Sequence, residues 1–248
     1  MQRVIGVLSG KGGVGKTVTS INLGAALHEF GQDNTIVDAD ISSANLTIHL
    51  GLPDSTISLQ DVLDGEAHIF KALRVIPRGM KIVPASISLE KNISDLTRLG
   101  DVVRGGLDGL TILDSPPGFS KEVYHIMKAS DDILMITNPD VPSVTDAVKI
   151  IEIAKKMEKN VLGIVVNRVN GDSFEVMPHE IEALCEVPVV SKVPEDKNIK
   201  RAIFERIPIV YHSPYSPASI EFRYLAARLL GKSYIPPRML FLRRVFNL

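Results

Sequence analysis

One cysteine, Cys185, is all the thiol in 248 residues. A lone thiol closes no disulfide within the chain and builds no thiolate-ligated cluster, so a reducing, cytosolic setting is expected. An excess of either charge is also missing. The 28 lysines and arginines face 29 aspartates and glutamates, for a formal net charge of -1. No chain-wide basic field exists to draw the protein to nucleic acid, although a local basic patch is left open. No apolar run approaches the roughly 20 residues that cross a bilayer, so no membrane span is expected. The opening MQRVIGVLSG lacks the ordered charged, apolar and small-residue segments of a cleavable leader, and none is expected. What is present is ordinary globular composition, 45% hydrophobic and 23% charged, which argues against disorder. The length suits one large α/β domain and is short for two.

Short, nearly continuous apolar runs occupy residues 4–8, 35–37, 110–113, 133–137, 161–166 and 187–193. Strands buried on both faces of a parallel sheet read this way. Helical patterns lie between or after them at 16–29, 121–129, 144–157, 177–185, 198–206 and 216–230. The alternation predicts a doubly wound, mostly parallel sheet with helices on both faces. Residues 73–76 and 81–83 predict a further strand, or a hairpin around Pro77–Gly79. Gly231 and the pair Pro236-Pro237 predict a helix stop and a stiff linker over 231–237. The expected organisation is one α/β domain over 1–230, that linker, and a tail over 238–248.

Residues 10–17 read GKGGVGKT, the pattern G-x-x-x-x-G-K-[ST] between a strand and a helix. Its glycines let backbone N–H groups turn inward on phosphate oxygens, and the helix start adds its positive end. Gly10, Lys11, Gly12, Gly13, Val14, Gly15, Lys16, Thr17 and the following Val18 are the candidate nucleotide contacts. Lys16 is expected on the β and γ phosphates, and Thr17 on Mg²⁺. Asp38 and Asp40 end the second strand, where open α/β sheets place ligands. Asp40 is a candidate to orient the attacking water and Asp38 to stand near Mg²⁺. Taken alone, D-x-D after a strand also reads as a helix cap or a solvated pair.

The second lysine of the loop, in the order G-K-G-G-x-G-K-T, resembles the deviant Walker A motif of the MinD/ParA family. The resemblance implies that Lys11 reaches across a dimer interface to the partner's nucleotide, giving it a catalytic place beside Lys16 and Asp40. A lysine in a loop is otherwise a solvated charge. Asp38 to Asn45 is similar to the family's first switch. Asp114-Ser115-Pro116-Pro117-Gly118 resembles its D-x-P-P-G second switch, which implies that Asp114 holds Mg²⁺ through water. Asn167 with Arg168, and Pro194 with Glu195 and Asp196, fall where the family clasps adenine. Asn167 read alone is a cap or turn residue. GTP-binding relatives carry N-K-x-D there, whereas this chain reads Asn167-Arg168-Val169-Asn170, which favours ATP.

The resemblance covers nearly the whole chain and leans to MinD-like cell-division ATPases, archaeal ones especially. Thr137 to Asp146 is similar to a T-N-P-E-x-x-S-V-x-D stretch, departing by Asp140 for Glu and by Pro142, which is expected to stiffen a loop. Residues 238–248, RMLFLRRVFNL, place Met239, Phe241, Leu242, Val245, Phe246 and Leu248 on one side of a helix and Arg243, Arg244 and Asn247 on the other. That describes a helix lying in a membrane interface and resembles the family's membrane-targeting tail. A terminal helix docked on the protein's own core is the other reading. Together these imply an ATP- and Mg²⁺-dependent homodimer, peripherally bound to anionic membrane when it holds ATP, with an activator or cell-division protein as partner. The alternatives are a DNA-segregation ATPase and an enzyme of phosphate-linked metabolism.

Overall fold

Eight strands form the sheet: β1 (Arg3–Leu8), β2 (Asn34–Asp38), β3 (Arg74–Val75), β4 (Lys81–Val83), β5 (Leu110–Asp114), β6 (Asp132–Thr137), β7 (Asn160–Val169) and β8 (Val189–Pro194). The computed structural model describes residues 2–53, 57–88 and 95–237. Within them the strands run in the order β3-β4-β2-β5-β1-β6-β7-β8. Every neighbouring pair is parallel except β3 with β4, an edge hairpin turned at Pro77–Gly79.

Alternate strand residues feed two cores, because side chains leave a strand on opposite faces in turn. Val4, Leu8, Leu113, Ile133, Met135 and Ile164 enter one core, and Ile5, Val7, Ile112, Leu134, Ile136 and Val165 the other. The first is covered by helices that include Leu99–Gly106, Lys121–Ala129 and Val141–Lys156, and the second by Lys16–Glu29 and Pro217–Leu229. Both faces are dry, which is why the strands read as unbroken apolar runs. No helix among the described residues is long and apolar enough to cross a membrane.

Some boundaries move. The helix expected at 144–157 begins at Val141, because Asp140 caps it by accepting from Ser143 N at 2.9 Å and Ser143 Oγ at 2.8 Å. Pro142 therefore sits in the first helical turn, where a missing N–H costs nothing, and does not stiffen a loop. The short helices Asn45–Leu50, Leu59–Leu63, Ile69–Ala72 and Ile209–His212, and the longer Leu99–Gly106, were not expected from the pattern. Over 231–237, Tyr234 meets the rings of Phe30 and Tyr224 edge-on at 6.0 and 5.1 Å. That segment thus begins by leaning on the domain. The amphipathic helix expected over 238–248 lies outside the described residues.

Candidate functional site

β1 delivers the chain at Leu8 into the glycine loop, and the helix Lys16–Glu29 leaves it. Gly15 caps that helix in a left-handed conformation, φ 94°, and no side chain caps its free N–H groups. Those N–H groups and the helix's positive end make an anion site. A Cβ on Gly15 would overlap the Asn167 amide, and one on Gly10 would stand 2.5 Å from Asp146 Cβ. The loop is thus wedged between the end of β7 and the helix Val141–Lys156, and alanine fits at neither position.

Asp38 and Asp114 end β2 and β5 side by side, as register partners. Both are fully buried, and Asp40, two residues on, is buried with them. Ser20 Oγ donates to Asp114 Oδ1 at 2.8 Å, and the Thr17 hydroxyl acts on this carboxyl from nearby. Leu46 N donates to Asp38 Oδ2 at 3.2 Å. The remaining oxygens, Asp38 Oδ1 and Asp114 Oδ2, are buried without a hydrogen-bond partner. Burial pushes the Asp38 carboxyl well above its usual range, and the neighbouring Asp114 and Asp40 push it further. Burial also raises Asp114, opposed by the Lys16 ammonium and the hydroxyls of Thr17 and Ser20. Clustered acids with orphaned oxygens and a threonine hydroxyl are the hard oxygen donors that Mg²⁺ takes. The residues fit that ion.

Asp40 is held from two sides. Ser42 Oγ donates to its Oδ1 at 2.9 Å and Asn45 Nδ2 to its Oδ2 at 3.3 Å. The Asp114–Gly118 segment is tied to the glycine loop, since Gly118 N donates to Ser9 O at 2.9 Å. An open cleft of about 340 Å³ joins these parts, lined among others by Lys11, Lys16, Thr17, Asp40, Asn45, Pro117 and Arg168. Lys11 is exposed, while Lys16 and Thr17 are buried.

The residues expected around adenine take several places. Asn167 is buried and donates its amide to Val14 O at 2.7 Å, bracing the phosphate loop. Arg168, in a left-handed conformation at φ 59°, lines the cleft and stands 3.9 Å from Glu195. Asp196 caps the helix Lys197–Phe204 by accepting from Asn198 N at 2.9 Å. The described residues lining this cleft do not include Pro194, Glu195 or Asp196.

Ser20 and Ser42 were not singled out from sequence as site residues, and Asn45 was named only as part of the stretch similar to a first switch. For Ser20 a signal existed: it follows Lys16 by four residues, hence on the same helical face. Asn167→Ala removes the amide from a buried carbonyl and should cost about 1–3 kcal/mol of stability. The urea midpoint of the nucleotide-free protein checks this, and an unchanged midpoint would show that the brace contributes nothing.

A family profile for the CobQ/CobB/MinD/ParA nucleotide binding domain matches residues 5–209. An uncharacterized ATP-binding protein of Methanocaldococcus jannaschii is 38% identical over 237 residues, covering 94% of this chain and 90% of its own. The septum site-determining protein MinD of Pyrococcus horikoshii, solved with Mg-ADP, superimposes with a TM-score of 0.88 at 31% identity, over 92% of this chain and 96% of that one. The MinC:MinD cell division complex of Aquifex aeolicus gives 0.84 at 30% identity, over 95% and 98%.

Proposed function

The chain belongs to the CobQ/CobB/MinD/ParA nucleotide-binding family, and on that premise we propose an ATP-driven switch that dimerises around its nucleotide and gathers on membrane surfaces to position a cell-division complex. It is an ATPase whose ligands are ATP and Mg²⁺. The loop amides and Lys16 hold the phosphates. Thr17 and Asp114 hold the metal, with Asp38 beside them. Mg²⁺, when bound, neutralises phosphate charge during phosphoryl transfer. Asp40, fixed by Ser42 and Asn45, orients the attacking water. Hydrolysis serves as a timer that returns the dimer to monomers.

One observation carries the dimer reading. Lys11 lines the same cleft as Lys16 yet is exposed and has no ion-pair partner among the described residues. A cation left uncommitted at the mouth of a phosphate site suits a phosphate held by a second copy. Adenine specificity is assigned to Asn167 and Arg168, near the C-terminal end of β7, and to Pro194–Asp196, where the paired strand β8 ends. The MinC:MinD complex of the Aquifex relative supports a cell-division partner.

Light scattering with Mg–ATP tests the division of roles. Wild type should dimerise transiently. Asp40→Ala should bind ATP and accumulate at twice the monomer mass, because only water positioning is lost. Lys11→Ala should bind nucleotide and stay monomeric. Equal masses for the two variants would overturn the assignment.

A further inference from the structure

On the same side of the sheet as the helix Lys16–Glu29, a groove of about 980 Å³ opens between the Pro77–Gly79 turn, the end of helix Asn45–Leu50 and the 198–213 segment. That is the upper end of the range for small-molecule clefts. Arg78, Arg201 and Arg206 stand around it against one carboxylate, Glu205. Glu205 is already occupied, by Arg201 at 2.8 Å and His212 at 3.2 Å. Arg78 and Arg206 have no carboxylate partner among the described residues. Arg78 lies over the Tyr211 ring at 4.6 Å, and the ring is fixed by its hydroxyl donating to Ala25 O at 3.2 Å.

Both free arginines are in the left-handed region, with φ of 70° and 60°. That conformation costs energy for any side chain and is ordinarily left to Gly or Asn. Local folding sets both: Arg78 turns the β3–β4 hairpin, and Arg206 ends the helix Lys197–Phe204, with Ile207 N donating to Ala202 O at 3.0 Å. The seat of Arg206 is also prepared: its side chain lies so close over Gly51 that a Cβ there would overlap it. Two guanidiniums on one groove, neither paired with a carboxylate among the described residues, match phosphate oxygens, which they can grip in pairs.

The groove adjoins the nucleotide site through one short helix. Asn45 at its start holds Asp40, His49 lines the nucleotide cleft, and Leu50 and Gly51 line the groove. We propose that this groove binds a small phosphorylated molecule bearing at least two negative charges, through Arg78 and Arg206, and that its occupancy reaches Asp40 through helix Asn45–Leu50. The coupling rests on the ATPase reading above, whereas the binding does not.

The test uses full-length protein saturated with Mg–ADP, so that the phosphate loop is filled. Titration calorimetry with fructose 1,6-bisphosphate should show one further site, absent with fructose. The double variant Arg78→Asn/Arg206→Asn should weaken it by at least about tenfold, with no fall in melting temperature, since Asn tolerates the left-handed backbone. No binding at millimolar probe, or equal binding by the variant, overturns the site. Binding of polyglutamate in place of the bisphosphate, lost in the same variant, also overturns it and makes the groove a docking surface for an acidic protein. In ATP turnover the bisphosphate should change the wild-type rate at least about twofold and leave the variant unaffected. Binding without a change in rate overturns the coupling.

Discussion

Lys16→Ala should lower the affinity for Mg–ATP by about 10²–10⁴. Lys16 is nearly buried at the start of its helix, so its charge acts where water screens it little. A hydrogen bond to a charged group contributes about 1.5–3 kcal/mol, so contacts with two phosphates come to about 3–6 kcal/mol, which converts to that range. The loop amides and the helix end remain, so some affinity survives. Lys16 is also the ammonium that opposes the burial-driven rise of the Asp114 carboxyl. The variant therefore needs a circular-dichroism spectrum and a melting curve beside the calorimetry. A folded variant whose affinity stays within about threefold of wild type, roughly 0.7 kcal/mol, would remove Lys16 from the phosphate site.

Most of the fold could be read from the sequence because the sheet is buried on both faces. The runs at 4–8, 110–113 and 133–137 fall within β1, β5 and β6 because each strand residue has an apolar neighbour whichever way it points. The short helices were hidden for a different reason. Asn45–Leu50 and Ile69–Ala72 have six and four residues, too few to show a 3.6-residue period. Leu59–Leu63 did carry a signal, since Ser58 and Asp61 form a capping box. Helix Leu99–Gly106 contains Gly100, Gly105 and Gly106, which weaken its helical propensity.

In the site, the phosphate-loop motif located the glycine loop, and the strand ends located Asp38 and Asp114. Their adjacency could not be read, because it depends on β2 pairing with β5 across 76 positions of sequence. The same holds for Asn167. Its bond to Val14 ties β7 to the loop after β1, two strands away and 153 positions apart in sequence, and no local pattern announces such a contact. Asp140 shows the reverse case. In sequence it is only a departure from the glutamate of a similar stretch, and in place it is a helix cap, a task for which the shorter carboxylate is better suited.

Deleting residues 238–248 should abolish ATP-dependent pelleting with anionic liposomes while leaving ATP-driven dimerisation intact. The expectation comes from the sequence of that segment and from the dimer proposed above. Six large apolar side chains would each contribute at most about 1.5–3 kcal/mol on full burial, and interfacial burial is shallower. Ordering about ten residues as a helix costs on the order of 1–2 kcal/mol each, which cancels most of that gain. Arg243 and Arg244 add about 1 kcal/mol apiece against an anionic leaflet. One tail is therefore marginal. Two tails on one dimer share a local concentration, and avidity strengthens binding by roughly 10²–10⁴-fold. Membrane binding then follows the dimer, and the dimer follows ATP. Wild type should pellet with ATP and largely stay in solution with ADP. Arg243→Glu with Arg244→Glu should weaken pelleting mainly on anionic lipid. A parallel arm with double-stranded DNA should show no ATP-dependent co-sedimentation; if DNA rather than lipid brings the protein down, the switch works on nucleic acid. A truncated protein that still pellets, or that melts at lower temperature, would assign the segment to the protein's own core and leave the membrane to another surface.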